Sequence, residues 1–159
     1  MGGIRLNCHD RALRLLSVRP RSRRELEGRL LRAGFEPDDV ADELERLQGV
    51  GLVDDTRFAA QFAEQAVTRR LQGSRAVRAA LAAKGVDRRT IEQVLADVGQ
   101  DDGERLGHVA AQRAARLASL PRETAYRRLV SFLVRRGYDA SAARGAAARA
   151  LDAPPSDEA

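Results

Sequence analysis

The sequence has few of the residues that build β-sheets, disulfide frameworks and membrane spans. Its 159 residues include one cysteine, no tryptophan, four phenylalanines and two tyrosines. The single Cys8 excludes an internal disulfide. No apolar run approaches the roughly 18 residues that span a bilayer, and the first ten residues lack the apolar segment of a secretory signal. These absences predict a reduced, cytoplasmic protein without a membrane partner.

The residues that are abundant favour helices. Alanine occurs 28 times and leucine 19 times, against 12 valines and two isoleucines. Alanine and leucine have high helix propensity, whereas β-branched and aromatic residues are the ones that favour strands. The composition therefore predicts an all-α fold.

Residue groups that carry catalysis or hold metal ions are scarce. The histidines, His9 and His108, have no serine, cysteine or aspartate at the spacing of a catalytic motif, and the chain has no phosphate-binding glycine-rich loop. The acidic pair Asp54-Asp55 stands where a helix must begin, which favours capping over metal binding. We predict a protein that is not an enzyme and has no catalytic residue, metal site or cofactor.

Glycine recurs with a regular period. Gly34, Gly85 and Gly137 each end a helical stretch, are followed by an apolar residue, and stand 51 and 52 residues apart. A repeated glycine at helix ends indicates one supersecondary unit used three times. Helix-start signals accompany the period: Ser22 with Glu25 forms a capping-box pattern, and Pro37, Asp54 and Asp87 stand where further helices begin.

These patterns predict three tandem three-helix repeats that form an elongated, curved array of either hand. A single nine-helix globule is the alternative. The predicted segments are a flexible leader (1–9), repeat 1 (10–53), repeat 2 (54–98), repeat 3 (99–151) and a disordered tail (152–159).

Positive charge is concentrated in the second and third repeats. Lys84 is the only lysine among 28 basic residues, and the net charge is +5. Repeat 1 carries no net charge, whereas repeats 2 and 3 carry +2 and +5. This distribution predicts an acidic partner, either nucleic acid or an acidic protein groove. By charge and position, the candidate partner-binding and DNA-binding residues are Arg21, Arg23, Arg24, Arg69, Arg70, Arg75, Arg78, Lys84, Arg88, Arg127, Arg128, Arg135 and Arg136.

Sequence-specific DNA reading is disfavoured by the last helix of each terminal repeat. In repeat 1 this helix, PDDVADELERL, presents five carboxylates (Asp38, Asp39, Asp42, Glu43 and Glu45) that would repel phosphates. The final helix, DASAARGAAARAL, has few side chains able to reach base edges. The scarcity of aromatic residues also argues against a base-stacking platform for single strands.

Three segments in order resemble the RecX family of recombination regulators. The first runs from Ala12 through the Arg19-Pro-Arg-Ser-x-x-Glu-Leu stretch to Gly34-Phe35. The second, residues 52–87, is LVDDTRFAAQFAEQAVTRRLQGSRAVRAALAAKGVD, and the third, residues 127–139, is RRLVSFLVRRGYD. The resemblance covers about residues 10–151 and implies tandem three-helix repeats that lie in the groove of the RecA–single-stranded DNA filament. It further implies slower ATP hydrolysis and strand exchange by RecA.

Three hypotheses follow for the function. The first is a monomeric regulator of the RecA filament, which contacts RecA and the single-stranded DNA within it, with duplex DNA as a further candidate. The second is a general DNA-binding protein that acts through its basic helical faces. The third is a helical adaptor for another acidic protein, and an enzyme ranks behind all three.

Overall fold

The chain folds into helices, as its composition predicts. The computed structural model describes residues 7–153, and within them there are nine α-helices, one 3₁₀ helix (Gly99–Asp101) and no strand. The all-α prediction is confirmed. The helices are α1 (Cys8–Val18), α2 (Arg23–Arg32), α3 (Pro37–Gly49), α4 (Asp55–Thr68), α5 (Ser74–Ala83), α6 (Arg88–Val98), α7 (Asp102–Ala115), α8 (Arg122–Arg135) and α9 (Ala140–Asp152). No helix in this part of the chain is both long and apolar enough to cross a membrane.

Helix starts follow the predicted capping signals. At α2 the Ser22 side chain accepts from the Glu25 backbone and the Glu25 side chain accepts from the Ser22 backbone, so the capping box is confirmed. Pro37 occupies the first turn of α3. Asp54 and Asp87 each accept a hydrogen bond from the backbone N–H three residues on, at 3.0 Å. Each cap satisfies a backbone donor that has no partner inside its own helix.

The chain ends differ from the predicted leader and tail. Helix α1 begins at Cys8, within the predicted leader, because the Asn7 side chain caps its first turn. Helix α9 continues to Asp152, the first residue of the predicted tail. The remaining parts of these two predictions, residues 1–6 and 154–159, lie outside the described residues.

The chain divides into two compact units. Among the described residues, the first comprises residues 7–62 and Leu81–Val94, and the second comprises Ala63–Ala80 and residues 95–153. The division falls inside α4, α5 and α6, so each of these three helices contributes residues to both units. The three predicted repeats are continuous segments of the sequence, whereas each unit combines two separate segments. The division into units therefore does not test the repeat boundaries, which stay predictions.

Each unit has its own apolar core. In the first unit α1, α2 and α3 pack on one another, and the fully buried side chains include Leu26, Leu30 and Leu44. In the second unit α7 and α8 both pack on α9, and Leu129 and Leu133 of α8 are fully buried. Helix α9 buries only alanines (Ala143, Ala146 and Ala147), so its contacts are close but bring little apolar area out of water.

Three glycines end the middle helices in left-handed backbone conformations. Gly34, Gly85 and Gly137 have φ of +90°, +78° and +93°, which a residue with a Cβ adopts only at a cost. Their surroundings differ. A Cβ on Gly34 would meet nothing within 4 Å, whereas a Cβ on Gly137 would lie 2.3 Å from Cβ of Ala76.

A direct backbone contact in the second unit joins the α4–α5 connection to the turn after α8. The Gly73 N–H donates to the Arg136 carbonyl at 2.9 Å, and the Arg75 N–H donates to the Gly137 carbonyl at 3.0 Å. A Cβ on Gly73 would lie 2.5 Å from the Gly137 oxygen. Both glycines are therefore needed for this contact, since any side chain would separate the two backbones.

Substitution of these glycines by alanine should separate backbone strain from packing. Gly34→Ala adds a Cβ at positive φ in open space and should cost about 1 kcal/mol of the free energy of unfolding. Gly137→Ala adds the same strain and a clash with Ala76, so we expect about 2–4 kcal/mol. Thermal and urea unfolding of the two variants measure the difference. Equal losses of stability in the two variants would show that the added Cβ at position 137 causes no clash beyond the backbone strain.

Candidate functional site

The thirteen predicted cationic residues divide unequally between the two units. The first unit holds Arg21, Arg23, Arg24, Lys84 and Arg88, and the second holds Arg69, Arg70, Arg75, Arg78, Arg127, Arg128, Arg135 and Arg136. In the second unit all of them except the half-buried Arg136 are exposed. The second unit therefore carries the more strongly cationic surface.

Arg21 lies inside the first unit. Only 7% of the residue is exposed, and its Nε donates to the Leu15 carbonyl near the end of α1 at 3.2 Å. Burial, together with the charges of Arg19 and Arg29, lowers the pKa of its guanidinium. Because its side chain donates a hydrogen bond to a helix carbonyl that has no backbone partner, Arg21 stabilises the fold of this unit and is not part of its binding surface.

Lys84 also takes part in a contact within the first unit. Its Nζ pairs with Glu25 Oε1 at 3.2 Å and lies 5.5 Å from the centre of the Phe62 ring. The same carboxylate pairs with Arg19 at 3.1 Å. Burial raises the pKa of Glu25, but hydrogen bonds from Arg19, Lys84 and the Ser22 backbone outweigh burial and bring the pKa below its usual value.

The three remaining predicted residues of the first unit lie near the start of α2 and α6. The Arg23 backbone N–H donates to Asp55 Oδ1 at 2.8 Å, and its guanidinium donates to Gln48. Asp55 thus supplies the negative charge that the N-terminus of α2 favours. The Arg24 side chain is exposed and passes close over Gly85, and Arg88 is exposed at the start of α6.

One groove of about 340 Å³ follows α2 in the first unit. Arg24, Arg32 and Lys84 line it, but so do Glu25 and Glu27. The opposite charges offset one another, so this groove offers little net attraction to a polyanion.

The backbone contact at Gly73 brings three predicted residues of the second unit together. The Arg136 guanidinium donates to the Arg70 carbonyl, and the Arg75 backbone donates to the turn after Arg136. The Arg75 guanidinium pairs with the Asp139 carboxylate at 3.0 Å. Residues that are about sixty positions apart in the sequence thus form one basic region on this unit.

Two residues of this region, Arg113 and Phe132, are not among those predicted from the sequence. The guanidinium carbon of Arg113, on α7, lies 4.8 Å from the centre of the Phe132 ring, and that of Arg136 lies 5.2 Å from it. Arg113 shares a helical face with the buried Leu106, Val109 and Leu117. An arginine at an apolar-face position was the available signal, since such a residue must be held by a specific contact. We call Arg113, Phe132 and Arg136 the Phe132 cluster.

Helix α3 was predicted to present five carboxylates on its surface, and the structure buries one of them. Glu43 is 8% exposed and pairs with His9 Nδ1 at 2.7 Å and with Arg46 at 3.1 Å, so four of the five carboxylates remain exposed, and not all five. The exposed carboxylates still oppose phosphates on this face. Across residues 7–153 no group of three or more histidine, cysteine, aspartate or glutamate residues is arranged to hold a metal ion.

Comparison with known proteins settles the family. Residues 8–47 match the family model of the first three-helix domain of RecX, and residues 54–95 match that of the second. The chain belongs to the RecX family. Each matched range spans three helices, α1–α3 and α4–α6 respectively.

Related RecX proteins cover most of the chain. A protein of Mycobacterium marinum named "Regulatory protein RecX" is 43% identical over 136 residues, which are 82% of this chain and 77% of that protein. The protein of the same name in Mycobacterium tuberculosis H37Ra is 42% identical over 132 residues, 79% of this chain and 75% of its own length. These relatives are named as regulators, not as enzymes.

Solved RecX structures share the fold. The crystal structure of RecX from Lactobacillus salivarius matches with a TM-score of 0.79 at 19% identity and covers 90% of this chain and 94% of that chain. A second crystal structure, of "regulatory protein RecX", has a TM-score of 0.76 at 21% identity, over 89% of this chain and 78% of that chain. The RecX three-helix architecture therefore extends over nearly the whole chain.

The lowered pKa of Glu25 makes a contribution to stability that depends on pH. A carboxyl with a lower pKa in the folded state contributes stability above its unfolded pKa, and this is lost as pH falls through the folded pKa. Glu25→Gln should cost about 1 kcal/mol at pH 7 and less at pH 3. Urea unfolding at both pH values tests this, with the exposed Glu27→Gln as control. A deficit of equal size at both pH values would contradict the role of the ionised carboxylate.

Proposed function

We propose that this chain is a non-enzymatic regulator of the RecA recombinase. In this proposal it binds the RecA–single-stranded DNA filament as a monomer in the cytoplasm, lies in the filament groove, and inhibits ATP hydrolysis and strand exchange. Membership of the RecX family is the observation that carries the proposal.

The charge of the second unit supports a polyanionic partner. Seven of its eight predicted cations are exposed, and one of these seven, Arg75, pairs with the Asp139 carboxylate. A filament groove that presents DNA phosphates and acidic side chains is attracted to such a surface over several ångströms, which raises the association rate. Contacts of this kind are weakened by salt.

General DNA binding is the second candidate. The exposed arginines of α8 (Arg127, Arg128 and Arg135) favour it, because guanidinium groups on one helix can bind successive phosphates without reading bases. The two candidates differ in whether RecA is required.

The ATPase rate of RecA on single-stranded DNA, titrated with this protein, distinguishes them. A filament regulator should lower the rate at concentrations well below those that coat naked DNA at the same salt. Inhibition that begins only when bare DNA is coated would favour general DNA binding. An unchanged rate would contradict the proposed function.

The exposed arginines of the second unit should be required for inhibition. We expect the quadruple variant Arg69→Ala, Arg70→Ala, Arg127→Ala, Arg128→Ala to need about tenfold more protein for half-inhibition, since four cation contacts are lost. A matched control removes four other exposed arginines: Arg14, Arg57, Arg144 and Arg149. Half-inhibition at the concentration needed for the unmodified protein would show that these arginines do not contact the filament.

A further inference from the structure

The Phe132 cluster forms one wall of a small pocket in the second unit. The pocket has a volume of about 140 Å³, and Arg116, Gln112, Leu71 and Val109 complete its lining. Arg116 is exposed and lies just after the last helical residue of α7. We call this cavity the Phe132 pocket.

The pocket is cationic in a way that the groove of the first unit is not. Three guanidinium groups, those of Arg113, Arg116 and Arg136, line it together with one neutral amide, and no carboxylate does so. Two of these cations lie within about 5 Å of the same ring centre. Like charges held so close repel one another, and an anion between them would relieve the repulsion.

Phe132 holds the guanidinium groups in place. A guanidinium stacked on an aromatic face is attracted by the ring, while its N–H groups point outward along its own plane. Because two guanidiniums already cover the ring, it serves to orient cations and not to stack a base. Arg113 Nε is buried and has no hydrogen-bond partner within the described part of the chain.

We propose that the Phe132 pocket binds one phosphodiester group of the single-stranded DNA backbone. A carboxylate is planar and is satisfied by one guanidinium in its plane, whereas phosphate oxygens point in tetrahedral directions and accept from several guanidiniums at once. Three converging arginines therefore match a phosphate better than an acidic side chain. The site reads no base, so its contribution is independent of DNA sequence. This inference rests on the proposed function, because it is the proposed RecA filament that brings single-stranded DNA to the protein.

The salt dependence of DNA binding tests the pocket. The probe is a labelled oligo(dT) strand, and its affinity for the full chain is measured by fluorescence anisotropy at several salt concentrations. Loss of one phosphate contact on a single strand should make the slope of log affinity against log salt shallower by about 0.7. We expect this shift for Arg116→Gln, whose exposed side chain can change without disturbing the core, and for Arg113→Gln.

The control is Arg149→Gln, which removes one exposed arginine of the same unit outside the pocket. It should leave the slope within about 0.2 of the unmodified value, because no phosphate contact is lost. A mixed-sequence strand should show the same losses as oligo(dT). An unchanged slope in Arg116→Gln and Arg113→Gln, with unaltered thermal unfolding, would overturn the proposal. Weaker binding of Arg116→Gln to DNA-free RecA with unchanged DNA binding would also overturn it, and would assign the pocket to a carboxylate.

The same variants separate this inference from the proposed function. If the unmodified protein inhibits the RecA ATPase but Arg116→Gln leaves the slope of log DNA affinity against log salt unchanged, phosphate binding by the pocket is contradicted and the regulatory role is retained. If the slope changes as expected but RecA hydrolyses ATP at its ordinary rate in the presence of the protein, the regulatory role fails and the phosphate site stands.

Discussion

The second unit depends on the contact between two glycine backbones. Gly73 and Gly137 approach so closely that neither has room for a Cβ, and two backbone hydrogen bonds join the segments. The Tyr138 hydroxyl adds a third link to the Leu71 carbonyl at 2.8 Å. Because the N-terminal donors of α5 meet the C-terminal acceptors of α8, each satisfies groups that the other helix leaves unpaired. The opposite partial charges of the two helix ends further stabilise the junction.

In the first unit the start of α2 meets the turn after α5, just as the start of α5 meets the turn after α8 in the second unit. The groups that make the contact are different. There the Ser22 hydroxyl donates to the Lys84 carbonyl at 2.5 Å, and the Arg24 side chain fills the space over Gly85. Ser22 thus caps its own helix and also closes a carbonyl at the end of α5. Side chains bridge this junction, so its glycine faces a side chain that can move, whereas Gly137 faces backbone and a methyl group. The repeated architecture therefore tolerates different chemistry at equivalent positions.

Local signals in the sequence predicted the helices better than the contacts between them. The period of Gly34, Gly85 and Gly137 predicted where helices end, and the Ser22 capping box predicted where one begins, because both depend on neighbours within a few residues. The partner of each turn depends on residues about sixty positions away, and no spacing rule encodes it. The same limit applies to charge: Arg21 and Arg24 look alike in sequence, yet only Arg21 is buried against a helix carbonyl.

The junction that stabilises the second unit also assembles its basic region. Arg136 stands at the end of α8, immediately before the glycine that meets Gly73, and its guanidinium reaches both the Arg70 carbonyl and the Phe132 ring. A substitution that breaks this junction would therefore lower stability and also move the arginines of the basic region apart. Weaker partner binding by such a variant would not show whether the surface itself contacts the partner. Arg116 lacks this ambiguity, since it is exposed, lines the Phe132 pocket and makes none of the hydrogen bonds that join Gly73 and Arg75 to the turn after α8. The residues best suited to reveal the function of this surface are thus those that the fold does not use.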